Sequence, residues 1–283
     1  LAEGTYVPAK PFRGYTGKTL KVNVGDRSFE SKDVSEEMKE KFTGGRGFGL
    51  KLLWDSVKDT TRWNDPENEI VISGGPLCGV TQYPGMGKFY AVFVSPLTDQ
   101  TYDSNAGGHF GPLLKFAGFD AIEIQGKADR DVIILVDADD RKIQILESPF
   151  EEVYAYTVTE ALHEYFADPG DIQDRRFISV VTAGKGAETS YWGCLNSSFW
   201  DSHRKLPRLK QAGRGGGGSI LRDKKIAALV VKTHDLSGTS NNPADVGTLT
   251  RLGAKLHKEI LTLDAEQCRM RTVGTTHLNE IMN

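Results

Sequence analysis

Residues 210–219 read Lys210-Gln211-Ala212-Gly213-Arg214-Gly215-Gly216-Gly217-Gly218-Ser219, and the reading of this run decides how the rest of the chain is understood. Consecutive glycines can turn successive N–H groups toward one point, which makes a concave anion site. Arg214 adds a planar fork suited to phosphate, and Lys210 a flexible point charge. The alternative is a flexible linker. Against it, charges bracket the glycines and a strand-like run at 226–231 follows soon after. A P-loop requires Gly-x-x-x-x-Gly-Lys-Ser/Thr, and no segment matches; Ala183-Gly184-Lys185-Gly186 is similar only on the surface. Gly213, Gly215 and Gly218 do spell Gly-x-Gly-x-x-Gly, but residues 222–225 are charged and the next apolar run reads as a strand, which is a poor context for a dinucleotide fold.

The same chemistry recurs upstream. The chain has 31 glycines, and they cluster at Gly44-Gly45-Arg46-Gly47, Gly74-Gly75-Pro76 and Gly107-Gly108 as well. Such clusters supply positive-φ positions and let backbone approach a ligand closely. In Ser104-Asn105-Ala106-Gly107-Gly108-His109-Phe110-Gly111, Asn105 tolerates unusual backbone angles. A short helix over 112–117, with Pro112 in its first turn, would aim its N-terminus at a ligand.

Between the clusters the patterning predicts short elements. Strands are expected at 18–24, 69–73, 89–94, 177–182 and 226–231, with 121–125 and 132–137 paired around a polar turn. Helices are expected at 35–42, 47–57, 156–166 and 246–263, the second starting at the glycine turn. Residues 236–243 read as a polar linker, so a boundary is placed there: 1–235 as one domain and 236–283 as the start of a helical one. Many short strands with glycine turns and few helices make an α+β pattern.

Composition narrows the class. Hydrophobic residues are 39% and charged residues 26% of the 283, enough for a sizeable core. The net charge of -3 gives no reason to expect nucleic acid. No apolar run reaches a membrane span and no signal-peptide pattern opens the chain, although Leu1 in place of Met suggests that a few residues precede it. Cys78, Cys194 and Cys268 are odd in number and far apart, so small buried or inert side chains in a reducing cytoplasm are expected rather than a disulfide framework.

Taken together the segments resemble the aldehyde ferredoxin oxidoreductase family, over about residues 17–232. The landmarks are Gly44-Gly45-Arg46-Gly47, Gly75-Pro76-Leu77-Cys78-Gly79, Ser95-Pro96-Leu97-Thr98, Ser104 to Gly111, Lys115-Phe116-Ala117-Gly118-Phe119-Asp120-Ala121-Ile122, Gly126-Lys127-Ala128 and Ala212-Gly213-Arg214-Gly215-Gly216. Each is weak alone; their order and spacing are specific. The resemblance implies a saddle of two β-sheets beneath a tungsten or molybdenum ion held by two pterins, with Mg2+ joining the pterin phosphates. It implies Mg2+ on the backbone carbonyls of Asn105 and Gln211. Cofactor contacts would fall at Arg46, Lys88, Asn105, Ala106, Gly107, Gly108, Lys210, Gln211, Ala212, Gly213, Arg214, Gly215 and Gly216. Lysine replaces the family's usual arginine at Lys88 and Lys210, which keeps charge and loses bidentate geometry. The basic text of residues 201–210 also departs from the usual one.

The family continues into helical domains with a Cys-x-x-Cys-x-x-x-Cys cluster motif, which the sequence to Asn283 does not contain. The resemblance therefore implies a [4Fe-4S] cluster on a C-terminal half or a second subunit. The assembled enzyme would oxidise an aldehyde to a carboxylic acid and pass electrons to ferredoxin or a similar carrier. The rivals are a benzoyl-coenzyme A reductase-type subunit of the same family, a non-catalytic pterin-binding or assembly protein, and an unrelated ATP- or NAD-binding module.

Other side chains weigh toward structure. His109 is expected as a hydrogen-bonded loop histidine, with a pterin or substrate contact as the alternative. His163, on an amphipathic helix, is expected to be structural, and His203, His234, His257 and His277 lack ligand spacing. Asp120 and Glu123 are expected at a solvated strand edge, with a paired-acid role as the rival. Trp192 and Trp200 are expected to pack or to lie at a partner surface.

Overall fold

The computed structural model describes residues 1–151, 154–236 and 241–282. Thirteen strands among them form two mixed sheets. In chain order they are β1 (Ala2–Thr5), β2 (Lys18–Asn23), β3 (Ser28–Asp33), β4 (Ile70–Gly74), β5 (Phe89–Val94), β6 (Thr101–Ala106), β7 (Ala121–Gln125), β8 (Val132–Asp137), β9 (Lys142–Glu147), β10 (Ile178–Thr182), β11 (Leu195–Asp201), β12 (Leu206–Ala212) and β13 (Ile226–Lys232). One sheet has the order β3-β2-β7-β4-β5-β6, the other β1-β9-β8-β13-β10-β11-β12. Each contains one parallel pair, β2 with β7 and β13 with β8.

The longer helices are α1 (Glu36–Phe42), α2 (Arg46–Ser56), α3 (Phe110–Phe116), α4 (Ala155–Phe166), α5 (Gly217–Asp223) and α6 (Val246–Leu263), with short helical turns after α6. The main core lies between the sheets. There Leu20, Ile72, Phe89 and Phe93 of one sheet meet Ile134, Leu229 and Val231 of the other, with Phe110 and Leu114 of α3 and Ile220 and Leu221 of α5 filling the layer. α2 covers the outer face of the six-stranded sheet through Leu52 and Leu53 on Val71 and Val92. α4 covers the seven-stranded sheet through Val158 and Leu162 on Ile133, Ile178 and Val230. This layering is an α+β architecture, as the glycine-punctuated strands indicate.

Four expectations need correction. β7 and β8 do not pair: β7 lies between β2 and β4, and β8 between β9 and β13. The chain turns at Gly126, whose φ is +79°, and crosses from one sheet to the other. Two consecutive apolar strands look alike whether they pair or cross. Second, Asp120 and Glu123 are not solvated; both are buried. Asp120 accepts from the N–H groups of Thr16 and Gly17 and pairs with Lys115, while Glu123 takes the Thr19 hydroxyl and Lys32. Third, Gly217 and Gly218 open a helix instead of a ligand loop. A Cβ at Gly217 would stand 2.7 Å from the Phe93 ring, and one at Gly218 2.4 Å from the Cys194 carbonyl oxygen. Fourth, the expected polar linker 236–243 is not uniformly polar surface. Its residues 237–240 lie outside the described residues, but Asn241 is buried and bonded to the carbonyls of Pro76 and Cys78.

Candidate functional site

β6 and β12 are the edge strands of their sheets, and each runs straight into a glycine motif. The two ends meet. The Arg214 amide donates to Ser104 Oγ at 3.1 Å, and the Ser95 hydroxyl donates to the Gly215 carbonyl at 2.8 Å. The His109 amide donates to the Ser198 carbonyl of β11 at 2.9 Å, so the start of α3 is docked on the other sheet instead of being offered to a ligand. Sequence positions 104–109 and 213–216 thus form one seam.

Strand alternation sorts the side chains at the seam. Tyr102 and Ser104 point inward, where a Cβ on Gly215 would stand 2.4 Å from Tyr102. Asp103 and Asn105 take the opposite side, where Asp103 pairs with Arg46 at 2.8 Å and the Lys88 ammonium donates to Asn105 Oδ1 at 2.9 Å. On the facing strand, Lys210 lies along Gly107, whose built Cβ would be 3.7 Å from Lys210 Cγ, and its Nζ sits 5.5 Å from the centre of the Phe199 ring. His109 packs edge-on against the same ring at 6.0 Å. Burial holds the His109 imidazole below its ordinary pKa, so it is neutral near pH 7.

Four cations belong to these turns and motifs. Arg46, Lys88, Lys210 and Arg214 are all exposed. Arg46 and Lys88 line a cavity of about 500 Å³. Its walls come from the turn Thr43 to Arg46, from Gly75 to Cys78, from Tyr83 to Met86, and from Lys88 and Tyr90. Gly75 lines this cavity, and a Cβ built on it meets no atom within 4 Å. Gly44 and Gly45 have φ of +140° and +52°, and Gly45 is the residue before α2; a glycine turn is what lets Arg46 start that helix at the cavity rim.

The expected site residues divide into groups. Arg46 and Lys88 line the cavity, and Asn105 reaches its rim through Lys88. Gly107 and Gly213 are half or fully open, the nearest atom to a Cβ on Gly213 being Cys194 Sγ at 3.9 Å. Gly108 and Gly216 have φ of +102° and +76°, and a Cβ on them would meet Ser198 O at 2.8 Å and Tyr191 O at 2.2 Å. Packing accounts for these two glycines and for Gly215, and only backbone remains to face a ligand there. Ala106 and Ala212 are buried at the strand ends, while Gln211 is exposed, with Nε2 3.5 Å from Asn196 Oδ1. Sequence reasoning missed Asp103, Tyr83, Met86 and Tyr90; the alternation of β6 would have found Asp103, two positions before Asn105.

The remaining candidates are structural. His163 is fully buried between Ser198 Oγ and the Arg175 carbonyl, each at 2.9 Å, and burial lowers its pKa to about 4. Trp200 is buried and stacks on it, whereas Trp192 is exposed. Burial raises the Cys78 thiol to about 11. Among the described residues no three His, Cys, Asp or Glu side chains converge as metal ligands would, and no helix is long and apolar enough to cross a membrane.

The cavity is lined by Gly44, Gly45, Gly75 and Gly85 and by the cations Arg46 and Lys88, a make-up that suits an anionic group. The family model for the aldehyde ferredoxin oxidoreductase N-terminal domain matches residues 19–233, and the chain belongs to that family. It is 33% identical over 223 residues to the tungsten-containing aldehyde ferredoxin oxidoreductase of Pyrococcus horikoshii, covering 78% of this chain and 34% of that protein. It is 30% identical to the aliphatic sulfonate oxidoreductase WOR-like subunit of Pyrococcus furiosus, over 77% of this chain and 34% of that one. Among solved structures it is similar to the active site complex BamBC of benzoyl-coenzyme A reductase with 1,5-dienoyl-coenzyme A, at a TM-score of 0.65 and 26% identity, over 78% of this chain and 31% of the other. The chain spans about a third of the length of the curated relatives it matches.

Proposed function

We propose that the chain is the pterin-binding part of a tungsten or molybdenum oxidoreductase that converts an aldehyde to a carboxylic acid. The observation that carries this reading is the seam: both glycine motifs, each at the end of an edge strand, meet there, with Lys210 beside Gly107, while Arg46 and Lys88, which line the cavity, reach the first motif through Asp103 and Asn105. Arg46, Lys88 and Lys210 around the first motif against Asp103 leave a surplus of positive charge, which suits two phosphate-bearing pterins. Arg46, Lys88 and Lys210 would hold phosphate, with Arg214 and the backbone of Ala106 to Gly108 and Ala212 to Gly216 completing the cradle. The carbonyls of Asn105 and Gln211 would hold Mg2+, a hard ion that prefers such oxygens. When bound, the metal–pterin supplies the two-electron redox chemistry. The chain's own residues bind and orient it, and the apolar side of the cavity, from Pro76 to Cys78 and Tyr83 to Met86, keeps water from its back. The acid–base groups near the substrate, the [4Fe-4S] cluster and the ferredoxin contact belong to the remaining two thirds of such an enzyme.

The likeness to BamBC favours a second reading, a reductase subunit acting on an aromatic acyl-coenzyme A. Plasma mass spectrometry of the anaerobically purified protein, with whatever copurifies, tests both. About one tungsten or molybdenum per chain is expected, and turnover of aldehyde with a viologen acceptor, or of an aromatic acyl-coenzyme A with a reductant, separates them. A metal-free protein that fails to take up the metal–pterin on reconstitution refutes the proposal.

A further inference from the structure

The wall of the cavity, residues 75–86, is held from behind by buried side chains that the cofactor reading does not use. Lys115 of α3 donates to the carbonyls of Gly14 and, at 2.8 Å, Gly75, and lies 3.5 Å from Asp120. Asn241 is 1% exposed and donates from Nδ2 to the carbonyls of Pro76, at 3.0 Å, and Cys78. Its own carbonyl accepts from the Gly14 amide at 3.2 Å. The amide can only be oriented this way, because a flipped Asn241 would set Oδ1 against two carbonyl oxygens. Three carbonyls of the wall are therefore turned away from the cavity and fixed. Further along, Gly253 of α6 approaches so closely that a Cβ on it would stand 1.8 Å from Gln82 O. The far end of the wall is thus pressed by the helix that follows the boundary, and Gly79, with φ of +87°, lies over the Phe116 ring.

We propose that Asn241 and Gly253, both beyond the first sheet-forming part of the chain, are positioning residues for the cavity: they set the backbone of residues 75–86. Where it concerns the ligand, this rests on the cofactor reading above. Both contacts are nonlocal and both act on the same wall, one through hydrogen bonds and one through steric closeness. The wall shapes one side of the pocket beside Lys88, so a displaced wall changes the fit of any group seated there.

The test uses the protein as purified, with any partner retained. Asn241→Leu keeps volume and removes both donors; Gly253→Ala perturbs the same wall from the helix side, so one variant answers if the other fails to fold. Hydrogen exchange read by mass spectrometry is expected to speed up roughly tenfold or more in peptides spanning residues 75–86 in each variant, with the strands Ile70–Gly74 and Phe89–Val94 unchanged. Tungsten or molybdenum per chain is expected to fall by roughly threefold or more, at an affinity cost of about 0.7 kcal/mol. Unchanged exchange in 75–86, or an equal rise throughout the chain, overturns the proposal. A loosened wall with full metal content overturns its claim on the cofactor. If the unmodified protein carries no such metal even after reconstitution, the cofactor reading fails, and the exchange measurement alone decides whether Asn241 and Gly253 set the wall.

Discussion

Glu69→Gln is expected to flatten the pH dependence of stability. Glu69 has no solvent exposure, neither carboxylate oxygen has a hydrogen-bond partner of good geometry, and the Lys21 ammonium stops at 3.7 Å. Burial raises its pKa from 4.5 to about 7; the nearby charge of Glu123 adds to the effect, and Ser56, Lys21 and Lys32 oppose it. In the unfolded chain Glu69 ionises near its ordinary value, while the folded protein keeps the proton until about pH 7. The folded state thus binds the extra proton in that window, and stability falls as pH rises through it. At 1.36 kcal/mol per pH unit, the gap corresponds to about 3 kcal/mol lost by the time the pH is above 7. Glutamine keeps the shape and never ionises, so the variant escapes this loss. Urea unfolding of both proteins at about pH 5 and about pH 8.5 isolates the effect, because every other group titrates equally in the two. The unfolded carboxyl is already partly ionised at pH 5, so the variant is expected to lose about 2–3 kcal/mol less than the unmodified protein between those conditions. Parallel losses would show that water or a shifted lysine reaches Glu69 and that its burial costs nothing.

The same structure sets four further outcomes. Gly216→Ala, at φ +76° and with a Cβ 2.2 Å from Tyr191 O, is expected to cost about 2–3 kcal/mol and lower Tm by about 5–10 °C. Gly213→Ala, whose nearest atom is 3.9 Å away, is expected to stay within about 0.5 kcal/mol in the same thermal scan. His234 bridges Asp139 at 2.7 Å and Asp174 at 2.6 Å, and although partial burial acts to lower its pKa, the two carboxylates raise it overall. Its contribution is full below the ordinary 6.5 and is lost as pH rises through the raised value, so His234→Gln is expected to destabilise at acidic pH and to converge on the unmodified protein at alkaline pH in thermal unfolding. Replacing Lys88 and Lys210 together by alanine is expected to cut metal content several-fold by plasma mass spectrometry with an unchanged circular dichroism spectrum, and arginine at both positions to preserve it.

How much of this was legible depends on where each element sits. β5 at Phe89–Val94 and α6 at Val246–Leu263 match their expected bounds, because a buried apolar run and a regular helical spacing state themselves locally. The edge strands do not. β6 reads Thr-Tyr-Asp-Ser-Asn-Ala and β12 Leu-Pro-Arg-Leu-Lys-Gln-Ala, polar because each is an edge strand with several exposed positions. α5 begins with two glycines, poor helix formers, and exists because Phe93, Leu195 and Cys194 leave no room for side chains there. The exposed half of the candidate site, Arg46, Lys88, Asn105 and Lys210, was visible through motif order. The clamp of Lys115 and Asn241 on the Gly75–Cys78 turn was not, because 163 residues separate Asn241 from Cys78 and no local pattern marks a buried donor.

The seam also explains why such a site tolerates so polar a pair of strands. An edge strand presents unpaired backbone groups and invites association. Here neither edge is left open at its end: Ser104 takes the Arg214 amide, Ser95 reaches the Gly215 carbonyl, and Ser198 takes the His109 amide. These bonds join the sheets at the point where both chains turn, and the joining leaves Asp103, Asn105, Lys88 and Lys210 on the outer side. Neither sheet carries both glycine motifs, so Lys210 lies along Gly107 only because the two ends meet. Removing the Ser95 or Ser104 hydroxyl would therefore disturb the spacing between the two glycine motifs before it disturbed either sheet.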